Sequence, residues 1–286
     1  MIEILKSILF GIVEGITEWL PVSSTGHMIL LNEIVKLDVS EEFYSVYEVV
    51  IQLGAILAVL ILFWNTVWPF GKKNNKTPLS DKGIGAWIKK DIFVLWFHFL
   101  VSCIPAIVIG VLFDDYFEAL FYNFQTVAIM LIIVGIAFIV LENLHKNDQA
   151  IVTDMGHITY KTAFILGLFQ VIAAVFPGTS RSGAIIVGAL IVGIARPVVA
   201  EYAFCLAIPV MFGASLLKIV KYMADGLSFT GNELMLLGVG SLVAFVVSIF
   251  VIRFLMDYIR KHDFKVFGWY RIVLGIVVLS YGLFLR

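Results

Sequence analysis

The chain has 286 residues, of which 61% are hydrophobic and only 14% are charged, and its mean hydropathy is +1.00. Soluble domains contain about 25% charged residues, so no soluble core could bury this much apolar surface. The net charge of −1 and the absence of a basic tail argue against nucleic acid as a partner. The composition therefore predicts a single membrane domain over residues 1–286.

Six segments are long and apolar enough to cross a membrane, since a spanning helix needs about 20 mostly apolar residues. They are roughly residues 47–64, 92–113, 121–142, 199–223, 233–254 and 267–285. Two other apolar regions are each split by a polar stretch, Pro21–Thr25 in the first and Pro177–Ser182 in the second. Polar, non-helical backbone at membrane depth is tolerated only when it is buried in protein or lines a wet cavity. Each of these regions is therefore predicted to form a re-entrant hairpin.

The two predicted hairpins align without gaps when Pro21 is placed on Pro177. The alignment then pairs Gly11 with Gly167, Glu14 with Gln170, and Ser24 with Ser180. Each half has one hairpin and three spans, and because three is odd, the second half starts on the opposite face of the membrane. The sequence thus predicts an all-α membrane protein of two inverted repeats, 1–145 and 155–286. Such repeats place sites near the midplane, where broken helices meet.

Positive charge is distributed unevenly between the two faces that this span count defines. One face carries Lys72, Lys73, Lys76, Lys82, Lys89, Lys90, Lys146, Lys161, Arg260, Lys261, Lys265 and Arg271. The other face carries Lys6, Lys36, Lys218, Lys221 and Arg286, with the acidic residues Asp114, Asp115 and Glu118. By the positive-inside rule the first face is cytoplasmic. Both termini and the mouth of the first hairpin are then expected outside.

Glu14 and Glu18 are predicted to be functional because ionisable groups inside a membrane are costly. They are four residues apart, so on a helix they share one face and repel each other. Two carboxylates together with phosphate oxygens form a typical environment for Mg²⁺, and Ca²⁺ also takes oxygen ligands. The alternative is a hydrated vestibule that both carboxylates line without a metal.

The polar stretch of each hairpin supplies further candidates. Ser23, Ser24, Thr25 and His27 follow the first break, where free helix-end amides can hold an anion and a serine or histidine can act as nucleophile. Capping of the second half-helix is the structural alternative for the hydroxyls. In the second hairpin, Arg181 offers a cation matched to phosphate geometry, although a structural pair with Glu48 or Glu201 is the alternative. Weaker candidates are Glu48, Gln52, Glu201 and Arg196.

These residues resemble a known family. The stretches EGITEWLPVSSTGH (14–27), EVVIQLGAILAVLILFW (48–64) and PGTSRSG (177–183) are similar to the undecaprenyl-diphosphate phosphatases, also called bacitracin-resistance proteins. The resemblance implies hydrolysis of undecaprenyl diphosphate, a polyprenyl lipid, to the monophosphate and inorganic phosphate, which recycles the carrier for peptidoglycan and other wall polymers. It also implies a divalent-metal requirement and a site that faces outward from the bacterial cell membrane.

The family's functional positions can be carried over residue by residue. The acidic pair falls on Glu14 and Glu18, the serine and histidine on Ser24 and His27, and the arginine motif on Ser180, Arg181 and Ser182. The expected catalytic residues are therefore Glu14, Glu18, Ser24, His27 and Arg181, with Glu14 and Glu18 on the metal. The expected substrate-binding residues are Ser23, Thr25, Gly178, Thr179, Ser180 and Ser182. Ile185 stands where the family often has Thr, so no hydroxyl role is assigned there.

Two other classes of function are weighed against hydrolysis. Inverted repeats with broken helices are typical of secondary transporters, so a lipid flippase or anion exchanger is the main alternative. A purely structural membrane scaffold has no use for the predicted charges. The sequence leaves open which of Ser24 and His27 is the nucleophile, which metal is used, and whether the protein forms a homodimer.

Overall fold

A computed structural model describes residues 1–72, 75–146 and 149–284, without the side chains of Val111, Asp114, Asp115, Glu118 and Phe284. The fold is all-α. Its helices are α1 (Ile2–Thr17), α2 (Ser24–Val35), α3 (Glu41–Val50), α4 (Gln52–Leu62), α5 (Trp64–Val67), α6 (Lys90–Phe121), α7 (Phe124–Leu144), α8 (Tyr160–Val175), α9 (Arg181–Ile191), α10 (Arg196–Ala224), α11 (Gly231–Ile259) and α12 (Lys265–Phe284). Some charges of the predicted orientation lie outside the described part of the chain: Lys73, Arg286 and the side chains of Asp114, Asp115 and Glu118.

Six stretches of these described residues are long and apolar enough to cross a membrane, and they agree with the six predicted spans. They are Glu41–Leu62, Lys90–Gly110, Phe124–Leu144, Arg196–Ala224, Gly231–Ile259 and Lys265–Leu283. Many large apolar side chains on these helices are exposed, among them Phe97, Leu242 and Phe250. An apolar outer surface is what a lipid environment requires, so the six predicted spans are confirmed by length and composition.

The two remaining apolar regions each form a pair of short helices, α1 with α2 and α8 with α9. In both pairs the polar stretch interrupts the helix at the position where the sequence predicts the break. Helices α1 and α2 pack on each other, as do α8 and α9. Helices of 16, 12, 16 and 11 residues are too short to cross the hydrocarbon layer.

Glycine allows the first helix of each pair to lie directly against a spanning helix. A Cβ atom on Gly11 would lie 2.6 Å from the carbonyl oxygen of Gly240 in α11. A Cβ atom on Gly167 would lie 2.5 Å from the carbonyl oxygen of Ser102 in α6. Small residues at such contacts let helix backbones approach closely in a membrane. Helices α1 and α8 are thereby fixed against α11 and α6.

One buried ion pair ties the chain together away from the broken helices. Glu142 of α7, 0% exposed at its side chain, accepts hydrogen bonds from Arg196 and from the backbone N–H of Phe264. The contact links the end of α7 to the starts of α10 and α12. The hydrogen bonds of Arg196, a weaker functional candidate, therefore serve to join helices.

Candidate active site

Each polar stretch contains a serine that caps the following helix. Ser23 and Ser180 have φ angles of 74° and 66°, which L-residues rarely adopt. The Ser23 hydroxyl accepts from the backbone N–H of Gly26 at 3.3 Å, and the Ser180 hydroxyl accepts from Gly183 at 3.2 Å. Capping is thus confirmed for these two hydroxyls, and it holds the N-terminal ends of α2 and α9 in a sharp, strained turn.

The capping serines change the alignment of the two halves by one residue. The gapless alignment pairs Ser24 with Ser180, whereas the shared capping role pairs Ser23 with Ser180. The second polar stretch is one residue longer, so the sequence alignment cannot hold on both sides of it. Ser24 and Arg181 are then equivalent, because each is the first residue of its helix.

These two first residues converge on Glu18. The Ser24 hydroxyl donates to Oε2 of Glu18 at 2.6 Å, and Nη2 of Arg181 donates to Oε1 at 2.9 Å. The Glu18 and Arg181 side chains are only 8% and 14% exposed, so water screens this ion pair weakly. Arg181 therefore pairs with Glu18, and the expected alternative of a pair with Glu48 or Glu201 is wrong.

Glu14 lies one helical turn before Glu18 and is completely buried. Neither of its carboxylate oxygens has a hydrogen-bond partner in the described part of the chain. Glu18 and Glu48 repel its charge, and Arg181 attracts it. An uncompensated buried carboxylate is costly, so this position favours a cation or a proton.

His27 is held by two contacts. Its Nδ1 lies 2.7 Å from the carbonyl oxygen of Ser23, and its Nε2 lies 2.7 Å from the hydroxyl of Tyr270. The two rings are stacked with an interplanar angle of 5°. The hydroxyl of Ser24 donates to Glu18, and no hydrogen bond joins it to His27 among the described residues.

Arg271 is buried, although the charge distribution predicts it at the cytoplasmic surface. Its side chain is 0% exposed and bonds both polar stretches. Nη1 donates to the carbonyl oxygen of Pro21 at 3.0 Å, and Nη2 donates to those of Gly178 and Thr179 at 2.8 and 2.6 Å. A signal was available, since Arg271 lies inside a predicted span and cations at membrane depth are usually functional. Tyr270, the residue before it, carried no such signal.

The other predicted binding residues occupy the same region in different ways. Ser182 lies with its hydroxyl 3.1 Å from that of Ser180, and the buried Thr179 hydroxyl has no hydrogen-bond partner within residues 1–72, 75–146 and 149–284. Gly178 has a φ of 90°, and a Cβ atom there would lie 2.6 Å from the carbonyl oxygen of Val127 in α7. Only glycine therefore fits at this approach of the second polar stretch to α7. Ile185, by contrast, is fully buried among apolar residues.

A cavity of ≈ 230 Å³ adjoins the site, and Thr25 is part of its lining together with Glu48, Gln52, Tyr122, Pro177 and Lys218. The Tyr122 hydroxyl donates to Glu48 at 3.0 Å, and the weaker candidates Glu48 and Gln52 both line this adjoining cavity. Glu201 instead lines a different cavity of ≈ 790 Å³ with Lys89, His98 and Arg260, where it accepts a hydrogen bond from Thr66.

The residues fit a divalent cation only in part. Among the described residues no three His, Cys, Asp or Glu side chains cluster closely enough to form a complete metal site. Both oxygens of Glu18 accept hydrogen bonds, whereas both oxygens of Glu14 lack a partner among the residues that the structure describes. A cation here would therefore rest mainly on Glu14 and take further oxygen ligands from a bound phosphate group.

The spans and the site define a multi-pass membrane protein in which two polar stretches bring a carboxylate, a hydroxyl and a guanidinium into direct contact. A profile of the family described as Bacitracin resistance protein BacA matches residues 7–277, and the chain belongs to this family.

Relatives cover nearly the whole chain. The chain is 58% identical over 281 residues to an undecaprenyl-diphosphatase of Desulfitobacterium hafniense, covering 98% of this chain and 96% of the relative. It is 57% identical over 282 residues to undecaprenyl-diphosphatase 1 of Clostridium acetobutylicum, with coverages of 99% and 98%. It is 54% identical over 278 residues to an undecaprenyl-diphosphatase of Enterococcus faecalis, with coverages of 97% and 96%. The family resemblance found in the sequence is confirmed.

Proposed function

We propose that this protein hydrolyses undecaprenyl diphosphate to undecaprenyl phosphate and inorganic phosphate, and so recycles the lipid carrier for peptidoglycan synthesis. Its relatives at 54–58% identity carry the name of this activity. The observation that carries the proposal is the contact of Glu18 with both Ser24 and Arg181. A hydroxyl beside a base and a guanidinium are the groups that phosphoryl transfer requires.

Ser24 is the nucleophile that the geometry favours over His27. Its hydroxyl already donates to Glu18 at 2.6 Å, within the range expected of a nucleophile and its base. As Oγ bonds to the terminal phosphorus, Glu18 accepts the hydroxyl proton and the bond to the bridging oxygen breaks, releasing undecaprenyl phosphate. Water then cleaves the phosphoserine to release inorganic phosphate. Arg181 stabilises the charge on the phosphoryl oxygens, as a fork of donors can.

Glu14 is proposed to hold a divalent cation, Mg²⁺ or Ca²⁺, together with phosphate oxygens of the substrate. The support is the complete burial of its two oxygens, which have no hydrogen-bond partner among the described residues. When bound, the cation would offset negative charge on the diphosphate. Glu18 would add negative charge near the same cation, although its oxygens already accept bonds from Ser24 and Arg181.

The chain is further proposed to consist of two inverted repeats, 1–145 and 155–286, each a re-entrant hairpin followed by three spans. Matched contacts support this. Ser7 of α1 donates to the Leu236 carbonyl of α11 and bonds the Tyr47 hydroxyl of α3. Ser102 of α6 donates to the Ala163 carbonyl of α8 and bonds the Tyr202 hydroxyl of α10. The helices α1, α3 and α11 of the first set correspond to α8, α10 and α6 of the second, with the donating serine on the hairpin helix in the first set and on the spanning helix in the second.

The site is proposed to open to the outer face of the bacterial cell membrane, with both termini outside. The cavity beside the site is lined by Tyr122 and Lys218, which lie near the ends of helices assigned to that face. At the opposite ends of the spans lie Lys72, Lys76, Lys82, Lys89 and Lys90. A homodimer stays a prediction.

Phosphate release from undecaprenyl diphosphate by the purified protein in detergent tests the activity. We expect release by the wild type and a loss of at least about a hundredfold in Ser24→Ala and Glu18→Gln, since a base and its nucleophile act as a unit. Glu201→Gln is the matched control, because this partly buried carboxylate lines the other cavity. Absence of release by the wild type, with lipid movement across vesicles instead, would favour the flippase.

A further inference from the structure

Helix α12 supplies two consecutive residues to the site, although it belongs to the opposite end of the chain. Arg271 binds backbone carbonyls of both polar stretches, and Tyr270 bonds the imidazole of His27. One rigid helix therefore fixes the backbone of the first polar stretch and the ring that follows it. The position of Tyr270 relative to His27 is set by the three bonds of its neighbour.

The hydrogen bonds of His27 determine its tautomer. The carbonyl oxygen of Ser23 can only accept, so the Nδ1 atom that lies 2.7 Å from it carries a proton. In the neutral ring the lone pair is then on Nε2, which faces the Tyr270 hydroxyl at 2.7 Å. The hydroxyl donates to this lone pair. Rotation of the imidazole about its own axis would break both bonds.

We infer that Tyr270 is a positioning residue for His27: it holds the ring as the Nδ1–H tautomer and covers its Nε2 lone pair until substrate binds. The inference rests on the proposed function. For Nε2 to accept a proton, the Tyr270 hydroxyl must give up its bond. The hydroxyl thus controls when the acceptor on His27 becomes available.

Tyr270 contacts His27 through its ring as well as through its hydroxyl. Tyr270 is 48% exposed, and its ring stacks on the imidazole with centroids 5.7 Å apart. Tyr270→Phe keeps the ring and the stacking but removes the hydroxyl, so it tests the hydrogen bond alone. Tyr281→Phe is the matched control, since it removes a second phenol from the same helix, away from His27.

The kinetic test is a double-mutant cycle on phosphate release. Tyr270→Phe is expected to lower kcat about tenfold, as loss of one hydrogen bond to a working group does, with KM changed less than about twofold. In a His27→Gln background the same change is expected to have no further effect. Wild-type kcat in Tyr270→Phe, or a full tenfold loss that persists without His27, would overturn the inference.

Nitrogen-15 NMR of the ring nitrogens gives a readout that does not depend on turnover. The chain has five histidines, and the His27 signals are identified by their loss in His27→Gln. In Tyr270→Phe the resonance of the unprotonated Nε2 should move, and in Tyr281→Phe it should stay. An unmoved resonance in Tyr270→Phe would contradict the inference even if the protein hydrolyses its substrate. If the resonance moves but the wild type releases no phosphate, the proposed function alone is contradicted.

Discussion

Nη1 of Arg271 lies 3.0 Å from the carbonyl oxygen of Pro21, and the same guanidinium bonds the carbonyls of Gly178 and Thr179. This single side chain joins the two polar stretches, which are more than 150 residues apart in the sequence. Both stretches carry groups that converge on Glu18, so their relative position decides whether the site exists.

Arg271→Met should therefore abolish phosphate release and destabilise the protein. Three buried carbonyl oxygens would lose their donor, which costs about 1–3 kcal/mol for each unsatisfied group. Thermal unfolding in detergent, followed by near-ultraviolet circular dichroism, should show a clear fall in Tm. Arg253→Met is the control, because Arg253 is exposed on α11. Equal Tm values for the two variants would mean that Arg271 does not hold the loops.

Arg181→Lys should lower turnover at least about a hundredfold while the protein stays folded. Lysine keeps the charge beside Glu18 but loses the planar fork that holds two phosphoryl oxygens at once. The measurement is kcat/KM together with Tm, with Arg253→Lys as the control. Near-normal turnover in Arg181→Lys would reduce Arg181 to a structural partner of Glu18.

Chelation should abolish hydrolysis, and added Mg²⁺ or Ca²⁺ should restore it. Glu14→Gln should weaken cation binding more than Glu18→Gln does, because both Glu14 oxygens lack a partner among the described residues, whereas both Glu18 oxygens accept hydrogen bonds. Cation binding is measured directly by calorimetry in the presence of a non-hydrolysable diphosphate, with Glu201→Gln as control. Unchanged affinity in Glu14→Gln would leave the two glutamates as lining of a vestibule.

The proposed orientation can be tested with single cysteines in a background that lacks Cys103 and Cys205. Asp225→Cys, in the exposed connection between α10 and α11, should react with an impermeant thiol reagent in intact cells. Lys76→Cys, in the exposed connection before α6, should react only after the membrane is opened. The reverse pattern would invert the topology, and labelling of both in intact cells would contradict the span count.

Apolar runs and breaks in the sequence were enough to predict the six spans and the two interrupted regions. The reason is that the bilayer imposes one length and one composition on every spanning helix. Glu14, Glu18, Ser24 and Arg181 could be selected in the same way, because polar groups at membrane depth are costly enough to need a purpose.

The partners of these residues depended on tertiary structure. Tertiary packing brings Glu18 to Arg181, and nothing in the sequence distinguishes that pair from one with Glu48 or Glu201. The burial of Arg271 was missed for a related reason: near the end of a span, a cation can reach either the interface or the interior. Tyr270 could not be selected as a site residue from the sequence, because a tyrosine in an apolar helix ordinarily packs against lipid or protein. Its contact with His27 exists because α12 crosses the first polar stretch, and a contact between residues 243 apart is a property of the fold and not of local sequence.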